Sequence, residues 1–178
     1  MRKLIYKVKL KNRDEFEARL AELDFDFGPM YWQHSRIFVP RNYQSHGNFP
    51  RMILRIEMKA VDRPAKYELI CKRHIEDSGV TILHNTQVKD YAEAANILMQ
   101  LGFVMQAEIP RRRQELDVNA KTKVYLDKVD TLSGFYAKIE INIDNDGEVA
   151  TARKELEQLL EEFGIMGQAQ VRETYAEL

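Results

Sequence analysis

The chain has 178 residues, of which 44% are hydrophobic and 31% charged, with a formal net charge of -1, a composition that excludes disorder and predicts one folded domain over residues 1–178. No stretch approaches the roughly 20 apolar residues needed to cross a bilayer, so neither a membrane helix nor a signal peptide is expected, and the expected location is cytoplasmic. A single cysteine, Cys71, excludes an internal disulfide, and no Cys/His spacing of zinc type occurs.

In chain order, a period of two over residues 3–11 predicts a strand. Asn12 with Glu15 three residues on, followed by Phe16, Leu20 and Leu23, predicts a capped helix over 13–23. Strands follow at 31–39, 52–58, 66–73 and 80–88, the last with the weakest alternation, and a polar loop with two prolines and a glycine occupies 40–50. Asp90 and Glu93 repeat the capping signature. They open a helix through Ala92, Ile97, Leu98 and Leu101 that stops at Gly102. Strands at 103–114, 122–129 and 135–143 precede a third helix over 149–163, which carries Leu156, Leu159, Leu160 and Phe163 and ends at Gly164.

Charge is distributed unevenly: residues 1–60 hold 12 Lys and Arg against 7 Asp and Glu, and residues 121–178 hold 7 against 12. Strand parity shows where the cations point. Ile5, Lys7, Lys9 and Lys11 share one face, as do Arg51, Ile53, Arg55 and Glu57. The sets Lys66, Glu68, Ile70 and Lys72, then Lys121, Lys123, Tyr125 and Asp127, then Lys138, Glu140 and Asn142 complete five charged faces. A one-sided antiparallel sheet wets such faces routinely. If the sheet closes into a barrel, the same cations converge on one lumen and form an anion site. Arg111, Arg112 and Arg113 form either a solvated patch or a clamp in which two arginines at i and i+2 grip one phosphoryl group. Arg111 and Arg113 share the parity of Met105, Ala107 and Ile109, and a bulge at Pro110 would re-aim them. His34, His46, His74 and His84 have no ligand spacing, Trp32 reads as core or rim packing, and Cys71 as a small buried hydrophobe.

The order of these pieces resembles the CYTH family, which includes class IV adenylyl cyclases and thiamine triphosphatases and belongs to the triphosphate tunnel metalloenzymes. Lys9 is similar to the lysine closing the family's opening E-x-E-x-K, residues 53–56 (Ile-Leu-Arg-Ile) to its leucine-arginine strand, and residues 70–72 (Ile-Cys-Lys) to its lysine strand. Residues 95–103 resemble the helix and glycine before its K-x-R strand, matched by Arg111 and Arg113. Tyr-Leu-Asp at 125–127, Leu-Ser-Gly-Phe at 132–135 and Glu-Thr-Tyr-Ala-Glu-Leu at 173–178 complete the resemblance.

The resemblance implies an α+β fold, an antiparallel eight-stranded closed or nearly closed β-barrel tunnel with about three flanking helices. It also implies a triphosphate held by basic residues and Mg or Mn held by glutamates. Lys9, Arg55, Lys72, Arg111 and Arg113 are then the expected phosphate ligands, with Arg51 and Lys123 also facing the lumen. The metal-ligand positions are replaced by Ile5, Lys7 and Lys138, which leaves Asp127 and Glu140 as acidic ligands. Isoleucine and lysine supply no hard oxygen, but an ammonium neutralises phosphate directly while providing no Lewis acid.

Three readings follow. The chain binds a nucleoside triphosphate, inorganic triphosphate or polyphosphate in a tunnel with a degenerate metal site and weak or no catalysis. Alternatively, it is an active cyclase or organic triphosphatase using Mg or Mn on Asp127 and Glu140. Lastly, it is a structural or interaction module whose lumen is closed by ion pairs such as Lys7 or Lys138 with Glu140. Nucleic acid is not an expected partner, because apart from Tyr31 and Trp32 the basic segment lacks an aromatic platform. The leucines of the third helix serve packing against the sheet or a homodimer contact.

Overall fold

All eight segments with a period of two form strands in the computed structural model, which describes residues 1–43, 50–60, 62–75, 79–171 and 175–178. Most of the loop expected at 40–50, His46, and the first two residues of the motif at 173–178 lie outside the described residues. The strands are β1 (Arg2–Lys9), β2 (Tyr31–Pro40), β3 (Arg51–Met58), β4 (Lys66–Ile75), β5 (Val80–Gln87), β6 (Phe103–Asp117), β7 (Thr122–Val129) and β8 (Tyr136–Ile143). The helices are α1 (Arg13–Glu22), α2 (Tyr91–Gln100) and α3 (Val149–Glu162).

The strands close an antiparallel barrel in the order β1-β5-β4-β3-β2-β6-β7-β8. Closure gives each strand one outward and one luminal face. The seam between β1 and β5 is short, pairing only Arg2 with Ile82, Lys3 with Thr81 and Leu4 with Val80. Further along β1, Val8 bridges to Gln170, and Val171 N–H donates to the Lys7 carbonyl at 2.8 Å.

Sequence chemistry sets the helix ends. Asn12 accepts from the backbone N–H of Asp14 at 3.0 Å, and Asp90 from that of Glu93 at 2.9 Å. Gly102 (φ 87°) and Gly164 (φ 68°) hold the left-handed conformation just beyond α2 and α3, as their positions in the sequence require. The helices cover the barrel from outside. Leu4 and Val8 of β1 and Ile139 and Ile141 of β8 meet Phe16 and Leu20 of α1, Leu159 and Leu160 of α3, and Phe163 just past it. Leu54 and Phe38 pack under Ala94, Ala95 and Leu98 of α2.

The bulge expected at Pro110 lies earlier. Pro110 pairs in register with His34, and the β2–β6 ladder slips between Ile37, opposite Ala107, and Phe38, opposite Met105. The extra residue is Gln106. It sends Met105 outward, 51% exposed, while Ile109 and Arg111 stay on the luminal side.

Candidate functional site

Because side chains alternate along a strand, closing the barrel gathers the charged faces into one cavity of about 640 Å³. That volume is within the range of about 300–1,000 Å³ that small ligands occupy. Its walls include Lys7 from β1, Arg51 and Arg55 from β3, Lys72 from β4, Arg111 from β6 and Lys138 from β8, joined by Arg153 from α3. Among the described residues of the lining, two carboxylates, Glu140 and Glu157, stand against these seven cations. Lys7 and Lys138 lie directly opposite each other across the β1–β8 pair. Like charges placed so repel unless an anion sits between them.

Part of this charge is neutralised internally. Asp127, fully buried, accepts from Arg113 Nε on Oδ1 and from the second Arg113 nitrogen on Oδ2, both at 2.6 Å, and Tyr175 Oη donates to Oδ2 at 2.9 Å. A guanidinium nitrogen of Arg111 lies 3.9 Å from the same carboxylate. Glu140 accepts from Lys3 and from Lys138, each at 2.5 Å. Arg55 lies 3.7 Å from Glu68, which Lys66 approaches to 2.8 Å, and Arg51 binds Glu177 at 2.8 Å. Arg111 donates twice to Gln33 Oε1, and Gln33 Nε2 donates to Glu57 at 2.9 Å. The ammonium of Lys7 sits 4.2 Å over the Tyr175 ring.

The remaining cations are held under strain. Burial depresses Lys72 and Arg55, and neighbouring guanidinium groups add to the effect. Arg111 is lowered to about 10, by burial first and then by Arg113. Lys138 is lowered to about 7, because burial together with Arg113 and Arg111 outweighs the attraction of Glu140 and Asp127. Burial alone would raise Asp127 and Glu140; the cations around them overcome it and hold both carboxyls well below the usual carboxylate range. Two buried donors in the wall, Ser35 Oγ and Arg55 Nε, have no hydrogen-bond partner among the described residues. Ser35 lies directly opposite Arg55.

The expected ligands separate into three groups. Arg55, Lys72 and Arg111 border the cavity, as do Arg51 and the replaced positions Ile5, Lys7 and Lys138. Arg113 has luminal parity but spends its guanidinium on Asp127 and does not border the cavity. Lys9 and Lys123 depart from expectation for a common reason: each stands near a strand end, where the barrel opens to solvent. Lys9 is exposed and donates to Ser133 Oγ at 2.9 Å, while Lys123, its side chain 39% exposed, pairs with Asp117 at 2.7 Å. Lys11 and Lys121 are likewise exposed.

A divalent cation, implied by the resemblance, fits this donor set poorly. Every carboxylate oxygen of Asp127 and Glu140 already accepts a hydrogen bond from a cationic side chain, and Lys7 and Lys138 bring ammonium groups where ligands are needed. Among the described residues, no three or more His, Cys, Asp or Glu are grouped so as to hold a metal. No helix among them is long and apolar enough to cross a membrane.

Sequence reading overlooked the luminal face of β2. Tyr31, Gln33, Ser35 and Ile37 share it, and their alternation with Trp32, His34, Arg36 and Phe38 carried the signal. The Trp32 and His34 rings lie outside the barrel, tilted with centroids 5.5 Å apart, and Cys71 faces outward, half-buried. Lys3 was also overlooked, because its role depends on the β1–β8 register that aims it at Glu140.

Residues 50–175 match the model of the CYTH domain. Among solved structures, the PH1819 protein from Pyrococcus horikoshii OT3 is similar with a TM-score of 0.83 at 20% identity, covering 98% of this chain and 96% of that one. A proposed adenylate cyclase from Vibrio parahaemolyticus gives 0.80 at 16% identity, covering 98% and 95%. The Hippeastrum protein HpAC1, a proposed adenylyl cyclase described as having a dominant triphosphatase activity, gives 0.56 at 14%, covering 93% and 89%. No curated protein sequence matches the chain.

Proposed function

This chain belongs to the CYTH domain family, and from that premise we propose that it is a single tunnel domain, over residues 1–178, that binds a phosphate-bearing anion in the cytoplasm without a metal and with weak or no turnover. The ligand class is a nucleoside triphosphate, inorganic triphosphate or polyphosphate. Arg55, Lys72 and Arg111 are the phosphate contacts, with Lys7, Lys138 and Arg51 completing the cradle. Arg113 supports the cradle through Asp127, while Lys9 and Lys123 act only at the openings. The observation that carries this reading is the excess, among the described residues, of seven cations over two carboxylates around a cavity whose wall also holds two buried donors, Ser35 Oγ and Arg55 Nε, with no hydrogen-bond partner among those residues. Lysines in place of carboxylate ligands neutralise phosphate but supply neither a Lewis acid nor an activated water.

The experiment is a thermal-shift titration with ATP, inorganic triphosphate and polyphosphate, each with magnesium, with manganese and with chelator. Stabilisation that survives chelation and is lost in Arg55→Gln is the expected result. Stabilisation only with metal, accompanied by release of phosphate or pyrophosphate that vanishes in Glu140→Gln, would establish the cyclase or triphosphatase reading instead, in line with the activity recorded for the Hippeastrum relative. The ion pairs Arg113–Asp127 and Lys138–Glu140 favour a second reading, a structural or interaction module with an internally neutralised lumen. Absence of any anion effect under all conditions would select it.

A further inference from the structure

Apolar side chains left in solvent are concentrated at one corner of the barrel, away from the cavity. Ile97, Met99 and Leu101 at the end of α2 and Val104 and Met105 at the start of β6 are all exposed, Leu101 to 70%. No charge interrupts them: residues 94–107 contain no Asp, Glu, Lys or Arg, in a chain that is 31% charged. α2 covers the barrel through Ala94, Ala95 and Leu98, packed over Phe38 and Leu54, and leaves Ile97 and Leu101, one turn apart, on its flank. Met105 lies opposite Phe38 in the β2–β6 ladder and faces outward, so the apolar surface continues from α2 onto β6. The start of β6 is also an open edge. It pairs with β7 only over residues 111–117, so residues 103–108 have β2 on one side and no strand among the described residues on the other.

Such a surface is complementary to a second copy of itself. Two identical strand edges pair antiparallel about a two-fold axis, so an open edge fits its own duplicate without change. A two-fold contact also brings like charges together wherever the patch carries any. Here residues 94–107 carry none, and Glu108 at the margin is held by Arg36 at 2.7 Å. An acidic or basic partner would find no charge to match, whereas a second copy buries the same apolar side chains on both sides. We infer that the chain forms a two-fold homodimer through this corner. Ile97, Leu101 and Met105 of each copy pack together, and residues 103–108 of the two copies lie edge to edge. The bulge at Gln106 shortens that pairing, so the side chains supply most of the contact. None of residues 94–108 lines the cavity, so each copy keeps its own lumen and the contact is independent of anion binding. Leu159 and Leu160 of α3 are already buried against the barrel and take no part.

Sedimentation velocity of the full chain between roughly 1 and 100 µM tests this. The expected result is a dimer that dissociates on dilution, with a dissociation constant that raised salt does not increase, because no charge pair holds it. Leu101→Glu sets a carboxylate in the apolar contact and is expected to raise the dissociation constant about tenfold or more. Leu101 is exposed in the single chain, so its replacement leaves the fold intact, and Ile97→Gln is a second variant with the same expected direction. Amide hydrogen exchange at residues 103–108 is expected to slow as the protein is concentrated. A monomer at every concentration overturns the inference. A dimer that persists unchanged in both variants overturns it as well and moves the contact to another face. A dimer that salt dissociates refutes the uncharged contact, and exchange at residues 103–108 that ignores concentration refutes the edge pairing. None of these outcomes bears on whether the lumen binds an anion.

Discussion

Asp127 illustrates how a residue's role turns on its partners. The sequence offered it as a metal ligand, and its fully buried carboxylate is instead clasped by Arg113 and Tyr175 with Arg111 close by. Asp127→Asn leaves those guanidinium groups without a counter-charge, so it is expected to destabilise the fold by about 3–5 kcal/mol, the range for breaking a buried pair. Urea denaturation measures this. A loss below about 1 kcal/mol would show that Asp127 is not the keystone of the pair and would return it to the list of ligand candidates. Arg55 and Lys72 were legible as luminal from parity and residue type; Arg111 was not, because its parity matched that of Met105 and only the slip at Gln106 separates the two. Lys9 and Lys123 were not, because parity gives the face of a strand but not how far along the barrel a side chain stands.

At the scale of elements, the helices were the most legible part. A carboxylate or amide at the first turn and a glycine past the last are local chemistry, and Asn12, Asp90, Gly102 and Gly164 act as their positions demand. The bulge in β6 falls at Gln106 and not at Pro110, because the pairing of β6 with β2 rather than the local sequence sets where the register slips. What each helix covers also comes from packing. Leu54, fully buried with Phe38 beneath Leu98, is the central contact between β3 and α2. Leu54→Ala removes the methyl groups and leaves a cavity, at an expected cost of about 2–5 kcal/mol. The fall in denaturation midpoint should be cooperative, since the same strand carries Arg55 and Ile53 on its luminal side. Separate melting of α2 would contradict the coupling of that helix to the barrel.

For the whole molecule, the lumen makes stability and binding depend on pH in opposite senses. The unfolded chain keeps Lys138 protonated to the ordinary lysine value near 10.5, whereas the folded chain releases that proton near 7. Between these values the unfolded state binds more protons, so this group's contribution to stability rises with pH across that window. Asp127 and Glu140, both depressed, contribute stability above the ordinary carboxylate range and lose it as pH falls below. Anion binding favours the ammonium form of Lys138, so affinity for inorganic triphosphate is expected to weaken as pH rises through 7. Calorimetry at pH 7.5 in two buffers of different ionisation enthalpy should register proton uptake on binding. Identical apparent enthalpies in the two buffers would exclude Lys138 as the group that charges.

By itself the sequence determined the elements, their faces and the basic character of one face, because backbone period, capping and residue charge are properties of neighbours in the chain. The motif order pointed to the tunnel fold for the same reason. Only the tertiary structure decided which cations remain available to a ligand. Whether Arg113 meets Asp127 or Lys138 meets Glu140 depends on register between strands distant in the chain. Closure of the barrel then buries those groups, where water screens their charges less.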